Sequence, residues 1–473
     1  MTDVSTPSAA HTEFMEAIDL PRYLMGGTRA MRKAGHKYLP QEPAEDDKAY
    51  AARLAKSTLY NTFKKAVHSM TGKPFGVPIT LGEDIPKEFL PWLEDIDRQG
   101  RDLDTFARDH FRQDLVDGIG FILVDYPIVN AKLNLAEERA LGLRPFWVHI
   151  TGDQVIGHHA VNVEGKMTLT QVRIRECVEI PDGEFGTKSR EQIRVLRPGS
   201  VEVHVQNAKK EWVVDPEQSG PTTLDFIPLV PCYTGRTGFM TATPPLEDLA
   251  WLCCDHWQSK SDQKHILHVA RVPLLFGKDL VDGAGNTLPI GPNCLISTQN
   301  KPDSALQYVE HSGKAIEAGR QDLQDTEDMM RRCAGELLSS EVQKTATETG
   351  IEATEGESSL KAMVRTFEDA LEQALLFTAK WIKLDQGGTL KISRDWKESG
   401  VDPQEFNVML MAVTQSKITI RAWVLYLIKK ELLPVNTNVD LECEAIKMEA
   451  QMPVSYNAPK LGPRQPLDSA SGL

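Results

Sequence analysis

Two strongly helical segments between residues 312 and 385 flank a polar stretch with almost nothing to bury, and this arrangement constrains the chain more than any other feature. In the first segment Ile316, Gly319, Leu323, Thr326, Met330, Cys333 and Leu337 recur at alternating spacings of three and four, a narrow seam like one face of a coiled coil. Most positions between them are charged or carry amides, among them Glu317, Arg320, Gln321, Asp325, Glu327 and Arg331. Such a helix meets its neighbour along a line and keeps the rest of its surface wet or against polar groups. Gly319 and Thr326 in the seam permit a close backbone approach. The second segment opens at Ser358-Ser359, good N-cap residues, and carries a wide apolar stripe from Leu360 through Phe367, Leu371 and Leu375 to Ile382. It ends near Asp385 because Gln386-Gly387-Gly388 supplies backbone at which helices stop. Its length of about 25 residues corresponds to roughly 37 Å.

The stretch between the two, residues 339–357, has low hydrophobicity and net negative charge, which opposes packing. It reads either as a disordered connection or as a mobile loop presented by two rigid helices.

With 473 residues, 41% of them hydrophobic, the chain can hold two to four domains with real cores. A formal charge of −14 argues against holding nucleic acid by the whole surface, because phosphate binding needs clustered Lys and Arg. The cysteines are odd in number and scattered, so reduced thiols in a cytosolic setting are expected. No basic start followed by an apolar run opens the chain, and nowhere do 18 apolar residues stand together. Neither a signal peptide nor a membrane span is expected, and no internal repeat is found.

Residues 1–20 read as loose. One amphipathic helix is expected over 48–71, a short one over 86–97 and another over 103–116. Asp117-Gly118-Ile119-Gly120 then leads into an apolar run ended by Pro127, which reads as a buried strand. Its glycines precede the strand and so make no dinucleotide fingerprint. From Pro145 to Val230 short alternating runs punctuated by Gly165, Asp182-Gly183, Pro198-Gly199 and Asn207 predict about six antiparallel strands. Pro244-Pro245 opens a helix to about Ala270, and residues 272–310 form a compact insert with a small sheet. A returning strand is expected at 389–393, two helices at 403–414 and 419–433, and disorder from Met452 on.

The densest collection of chemically capable side chains is Cys253-Cys254-Asp255-His256 with His265 and His268. Cys253 and His256 do not share a straight-helix face with both later histidines, so core thiols with surface histidines are the expected reading and no metal is assigned. The carboxylate pairs Glu137-Glu138, Asp325/Asp328 and Glu355/Glu357 are of the kind chance provides in an acidic chain. The nucleophile elbow, the phosphate-cradling loop and the paired-histidine zinc motif are absent. No enzyme, cofactor or catalytic residue is expected.

The order of these pieces resembles the portal proteins of tailed bacteriophages over roughly residues 22–435. The pieces are Tyr38-Leu39-Pro40 and the helix through Tyr60 to Pro74, Gly118 to Pro127 ending Val124-Asp125-Tyr126-Pro127, Pro244 to His268, the insert 272–310, the helix 312–338, and Lys344-Thr345-Ala346-Thr347-Glu348. The resemblance implies an α+β portal fold with long stem helices, an antiparallel β wing, a small α/β clip and a short helical crown. Its parts map to a flexible N-terminus at 1–21, wing at 22–243, first stem helix at 244–271, clip at 272–311 and second stem helix at 312–338. The tunnel loop follows at 339–357, then the long wing helix and returning strand at 358–400, crown helices at 401–448 and a disordered tail at 449–473.

In function the resemblance implies a homo-oligomeric ring of about twelve subunits at one capsid vertex, without catalytic activity, the channel for DNA packaging and ejection. Its partners would be terminase, head-completion or adaptor and tail proteins, major capsid and scaffold proteins, and passing genomic double-stranded DNA read without regard to sequence, with no membrane. It would be assembled in the host cytoplasm and reside in the virion. Val342, Gln343, Lys344, Thr345, Thr347, Glu348 and Gly350 would face the DNA from the tunnel loop, and Lys278, Asp279, Asp282, Asn286 and Asn293 would lie on the partner-binding clip. A ring of chains this acidic would repel DNA from its channel, which favours sliding over gripping. The loop carries one lysine against several glutamates, in keeping with that weak hold, and Gly350 and Gly356 would supply hinges. Two readings from other classes stand beside this one, a metal-dependent enzyme using the 253–268 cluster and a capsid-interior scaffold or adaptor.

Overall fold

The computed structural model describes residues 3–127, 137, 141–270, 274–278, 305–309, 314–335, 346–394, 403–415, 417–429, 432–433 and 437–451. The chain is α+β. It divides into two compact units, Met1–Arg394 and Asp395–Leu473.

The N-terminal segment is helical rather than loose: α1 spans Ala9–Met25 and α2 Gly27–Ala34. Ser8 caps α1 by accepting from the His11 amide, and Ile18, Leu20 and Leu24 are buried. The peptide before α1 is held by polar bonds, with Arg173 Nη1 donating to the Val4 and Thr6 carbonyls at 2.8 Å each and Arg175 donating to that of Ser5. The single helix expected over 48–71 is two, α3 (Asp47–Lys56) and α4 (Thr62–Gly72). Ser57 turns its hydroxyl back onto the Arg53 carbonyl, and Asn61 caps the second helix through the Lys64 amide at 2.8 Å. These side-chain bonds compete with helix continuation, which hydrophobic spacing does not register. Next come β1 (Thr80–Leu81), the one-turn α5 (Leu90–Leu93), shorter than expected, and α6 (Leu103–Asp117).

Strands β2 (Ile119–Asp125), β3 (Phe146–Thr151), β4 (Val155–Val163), β5 (Lys166–Asp182), β6 (Gly186–Arg197), β7 (Ser200–Gln206) and β8 (Trp212–Val214) follow. After them come β9 (Gly220–Pro221), β10 (Leu229–Tyr233), β11 (Arg236–Gly238) and β12 (Thr241–Ala242). The antiparallel region is thus divided between sheets. The path β4-β5-β6-β7-β8, with β9 beside β7, forms one, and β10-β2-β3 a second with β2 in the centre.

Beyond the sheets lie α7 (Glu247–Ala270), β13 (Leu274–Lys278), β14 (Ala305–Val309), α8 (Lys314–Gly335), α9 (Ala346–Trp381) and β15 (Leu390–Lys391), which pairs with β1.

Both faces of β2 are covered, which accounts for its unbroken apolar run. Ile119, Phe121 and Leu123 join Ile150, Ile174 and Leu229 in one core cluster. By strand alternation Gly120, Ile122 and Val124 point the other way. There the cross-strand residues Trp147, His149 and Cys232 share their side of the sheet with buried residues of α6 and α9. Phe367 of α9 packs 5.2 Å from Phe111 of α6, ring centre to ring centre, and Trp147 Nε1 donates to Thr378 Oγ1 at 2.9 Å.

The joint between α6 and β2 demands glycine. Gly118 caps α6 with φ at 85°, and a Cβ there would collide with the Thr243 carbonyl. Gly118→Ala is expected to destabilise the fold by about 2 kcal/mol. Gly100 also has a φ of 85° but has open space around it, so Gly100→Ala should lose only the left-handed backbone preference of about 1 kcal/mol. Equal thermal shifts for the two variants would remove the steric account.

The second unit holds α10 (Pro403–Thr414), α11 (Ile420–Lys429) and α12 (Val439–Gln451), three helices where two were expected, the last running into the stretch read as tail. Trp423 stacks on Tyr426 and meets Phe406 at a tilt, Val424 and Cys443 are buried, and Arg421 pairs with Asp440 at 2.7 Å.

Candidate functional site

Helices α7 and α8 pack against each other, and the antiparallel pair β13/β14 falls between them in the chain, with Leu274 opposite Val309 and Lys278 opposite Ala305. The expected seam of α8 is where the packing occurs. Of that seam Thr326 and Met330 are buried and Ile316, Gly319, Leu323 and Cys333 half-buried, with Ala334, outside the expected seam, buried as well, whereas Glu317, Arg320, Gln321, Asp325, Asp328 and Arg331 are exposed. At Gly319 the two helices come close: a Cβ there would strike Gln263 Oε1 on α7. The same glutamine donates through Nε2 to the Ile316 carbonyl at 2.8 Å. Midway along, His256 of α7 bonds Glu327 of α8 at 3.2 Å and lies 5.5 Å from the Tyr60 ring. The exposed face of α8 is laced by its own ion pairs, Arg320 with Glu317 and Arg331 with Asp328, so it presents alternating charge rather than a basic track.

The cysteine and histidine cluster on α7 separates when folded. Cys253 and Cys254 are buried, and burial pushes both thiols up to about 11, so they pack as protonated, apolar groups at neutral pH. His256 is held below the usual histidine range by burial, opposed by Glu327, while His265 is exposed and turned to solvent. Cys177, Cys232 and Cys443 are also free thiols. Among the described residues, the group able to bring His, Cys and carboxylate ligand atoms within 4.8 Å of one another is instead His110, Asp114 and Cys232. Sequence spacing shows only the His110/Asp114 half of it, because Cys232 arrives through strand register.

The residues expected to face DNA are placed in part. Thr347, Glu348 and Gly350 lie in the first turns of α9, which begins at Ala346 rather than at the Ser358 cap. The stretch read as loop is therefore helical from Ala346 on. Ser, Thr and Glu are tolerated inside a helix that is already nucleated, so composition alone places its start too late. Val342, Gln343, Lys344 and Thr345 lie outside the described residues. Of the expected partner-binding residues, Lys278 ends β13, and Asp279, Asp282, Asn286 and Asn293 lie outside the described residues.

From Leu360 onward α9 is anchored on its apolar stripe. Leu360, Val364, Phe367, Leu371 and Leu375 are buried, Glu368 accepts from the Ile392 amide at 2.9 Å, and Trp381 Nε1 donates to the Val124 carbonyl at 3.0 Å. Among the described residues no helix is long and apolar enough to cross a membrane.

A family model described as a domain of unknown function (DUF4055) matches residues 245–382, the stretch from α7 to the end of α9. No curated protein matches the chain. Among solved structures it is similar to a chain of the virion of a native gene transfer agent particle, at 9% identity and a TM-score of 0.36, covering 74% of this chain and 84% of that one. A chain from the neck of the empty gene transfer agent particle, computed with C6 symmetry, aligns at 9% identity and a TM-score of 0.39, covering 75% and 85%. One from the neck of the native particle, computed with C12 symmetry, aligns at 10% identity and a TM-score of 0.38, covering 75% and 84%.

Proposed function

We propose that this chain is a portal subunit: about twelve copies form a ring at one vertex of a phage-type capsid, and double-stranded DNA passes through its centre during packaging and ejection. The observation that carries the reading is the α7/α8 pair with the antiparallel strands β13 and β14 between them in the chain, followed by the long α9 seated on an antiparallel sheet core. Helix α8 buries a line of small and apolar residues against α7 and leaves a face of paired opposite charges. In a ring, such faces meet polar partners on neighbouring subunits, where heterologous contacts close by rotation. The acidic balance of the chain fits a channel that lets DNA slide, since phosphate binding draws on clustered basic side chains.

In this reading the protein has no catalytic activity of its own. It acts by binding terminase, head-completion, tail, capsid and scaffold proteins, and it resides in the virion. In this reading the β13/β14 end of α7 and α8, with Lys278, is the docking end, and the N-terminal end of α9, with Thr347, Glu348 and Gly350, is turned to the channel.

Native mass spectrometry and negative-stain imaging of the purified full chain test the reading. The expected result is a ring of about twelve subunits with an open centre. A monomer or dimer at micromolar concentration would overturn it.

A further inference from the structure

We propose that His110, Asp114 and Cys232 form a buried structural site for a divalent transition metal, zinc by the character of its donors. All three residues are fully buried, and their ligand atoms lie within 4.8 Å of one another. Donor atoms around tetrahedral zinc sit roughly 3.3–3.8 Å apart, given metal–ligand distances of about 2.0–2.3 Å. The group therefore needs only a small contraction.

The fold brings these donors together by two devices. His110 and Asp114 are four apart on α6 and share the face turned to the sheet, with His110 Nδ1 and Asp114 Oδ2 at 2.8 Å. Cys232 of β10 stands opposite Gly120 of β2 in the register, so its side chain leaves the sheet on the side from which a Gly120 side chain would project. A Cβ on Gly120 would collide with Asp114 Oδ1 and come within 2.9 Å of His110 Cε1. The glycine thus opens the surface of the central strand directly beneath the helical carboxylate.

Two observations point to a missing ligand. Among the described residues Asp114 Oδ1 is buried with no hydrogen-bond partner, and His110 Nε2, although the imidazole meets the Phe121 backbone, completes no well-formed hydrogen bond there. The Cys232 thiol makes a long contact, 3.9 Å, to the Val230 carbonyl and also meets the Ile122 backbone. A buried carboxylate oxygen without a partner costs on the order of 1–3 kcal/mol, and more when charged. A divalent cation held by one carboxylate, one thiolate and one neutral imidazole gives an electrically neutral site, which is the form a dry interior tolerates. The ring of His149 stacks on that of His110 at 4.0 Å and 27°, fixing its plane. Three protein donors leave the fourth tetrahedral position to a water or a backbone carbonyl. With no opening of its own, the site would be filled as the sheet closes on α6, so metal binding would count as folding free energy.

The test uses the full chain expressed in zinc-supplemented and, separately, cobalt-supplemented minimal medium. Elemental analysis should find one zinc per chain. The cobalt protein should show a thiolate-to-metal charge-transfer band in the near ultraviolet. Cys232→Ser should abolish that band, Asp114→Asn should lower metal content at least tenfold, and Cys254→Ser should leave both unchanged. Wild-type chain that is folded yet holds less than a tenth of an equivalent of metal in both media would overturn the proposal. So would a charge-transfer band that survives Cys232→Ser or is lost in Cys254→Ser. Because the wild-type chain alone decides the first outcome, failure of a variant to fold does not shelter the proposal.

Discussion

Phe367→Ala is expected to destabilise the first unit by about 3–5 kcal/mol, the largest effect of any single truncation considered. The Phe367 ring is fully buried and stands 5.2 Å from Phe111, 5.7 Å from His110 and 6.4 Å from Phe75, so it is the contact through which α9 is keyed onto α6 and α4's outgoing loop. Alanine would leave a cavity ringed by aromatic groups held on α6 and on the segment after α4, which cannot collapse together. Phe367→Leu, which retains most of the volume, should lose about 1.5 kcal/mol or less. Thermal unfolding measures both, and the alanine variant should melt roughly 5–10 °C lower. A loss below about 1 kcal/mol would mean that α9 is not seated on this core.

The second large effect concerns the N-terminal helix. Arg22, in the last turn of α1, grips Asp117 through Nε at 2.9 Å and Nη2 at 2.7 Å and reaches Asp153 at 2.6 Å. The Asp117 side chain is 0% exposed. Arg22→Met keeps the length of the side chain but leaves that carboxylate with only Gln113 Nε2, at 2.9 Å, as a side-chain donor. Breaking a buried pair from one side costs about 3–5 kcal/mol, and the partial exposure of the guanidinium places this case near the lower end. The effect should depend on pH in a defined sense. Asp153 pays for its burial, but hydrogen bonds from Arg22 and Thr151 hold its carboxyl below the usual range. A group with a depressed folded value contributes stability that is fully present above its unfolded value, about 3.9, and is lost as pH falls through the folded value. Wild type and Arg22→Met should therefore differ most near neutrality and converge in acid, as pH falls through the depressed folded value of Asp153. Stability curves that stay parallel from neutrality down to the acid unfolding of the wild type would refute this account of the pair.

What the sequence made legible follows from which signals are local. Helices α6, α7, α8 and α10 announced themselves by periodicity, and the punctuated alternation of 145–230 announced antiparallel strands. The N-terminal helix did not, because the segment before it is held by Arg173 and Arg175 from a distant strand, and polar tethers leave no apolar pattern. The break at Ser57 to Asn61 was hidden for a similar reason: its causes are hydroxyl and amide bonds to backbone, which compete with the helix without interrupting its hydrophobic spacing. On the functional side, the α8 seam could be read because it is a pattern within one helix. The His110, Asp114 and Cys232 group could not, because it depends on Cys232 facing Gly120, a matter of strand register between segments far apart in the chain.

The pairing of β1 with β15, Thr80 opposite Lys391 and Leu81 opposite Leu390, sets a schedule for biosynthesis. At translation speeds of about 5–20 residues per second, roughly 15–60 seconds separate the emergence of these two strands from the ribosome. During that interval Phe111 and Trp147, later covered by α9, have no permanent cover. The nascent chain therefore spends its synthesis with an open aromatic surface that only its own late segment can close. Slowing translation near the 360s should lengthen exposure to chaperones and raise aggregation, while the same pause placed after Arg394 should do neither.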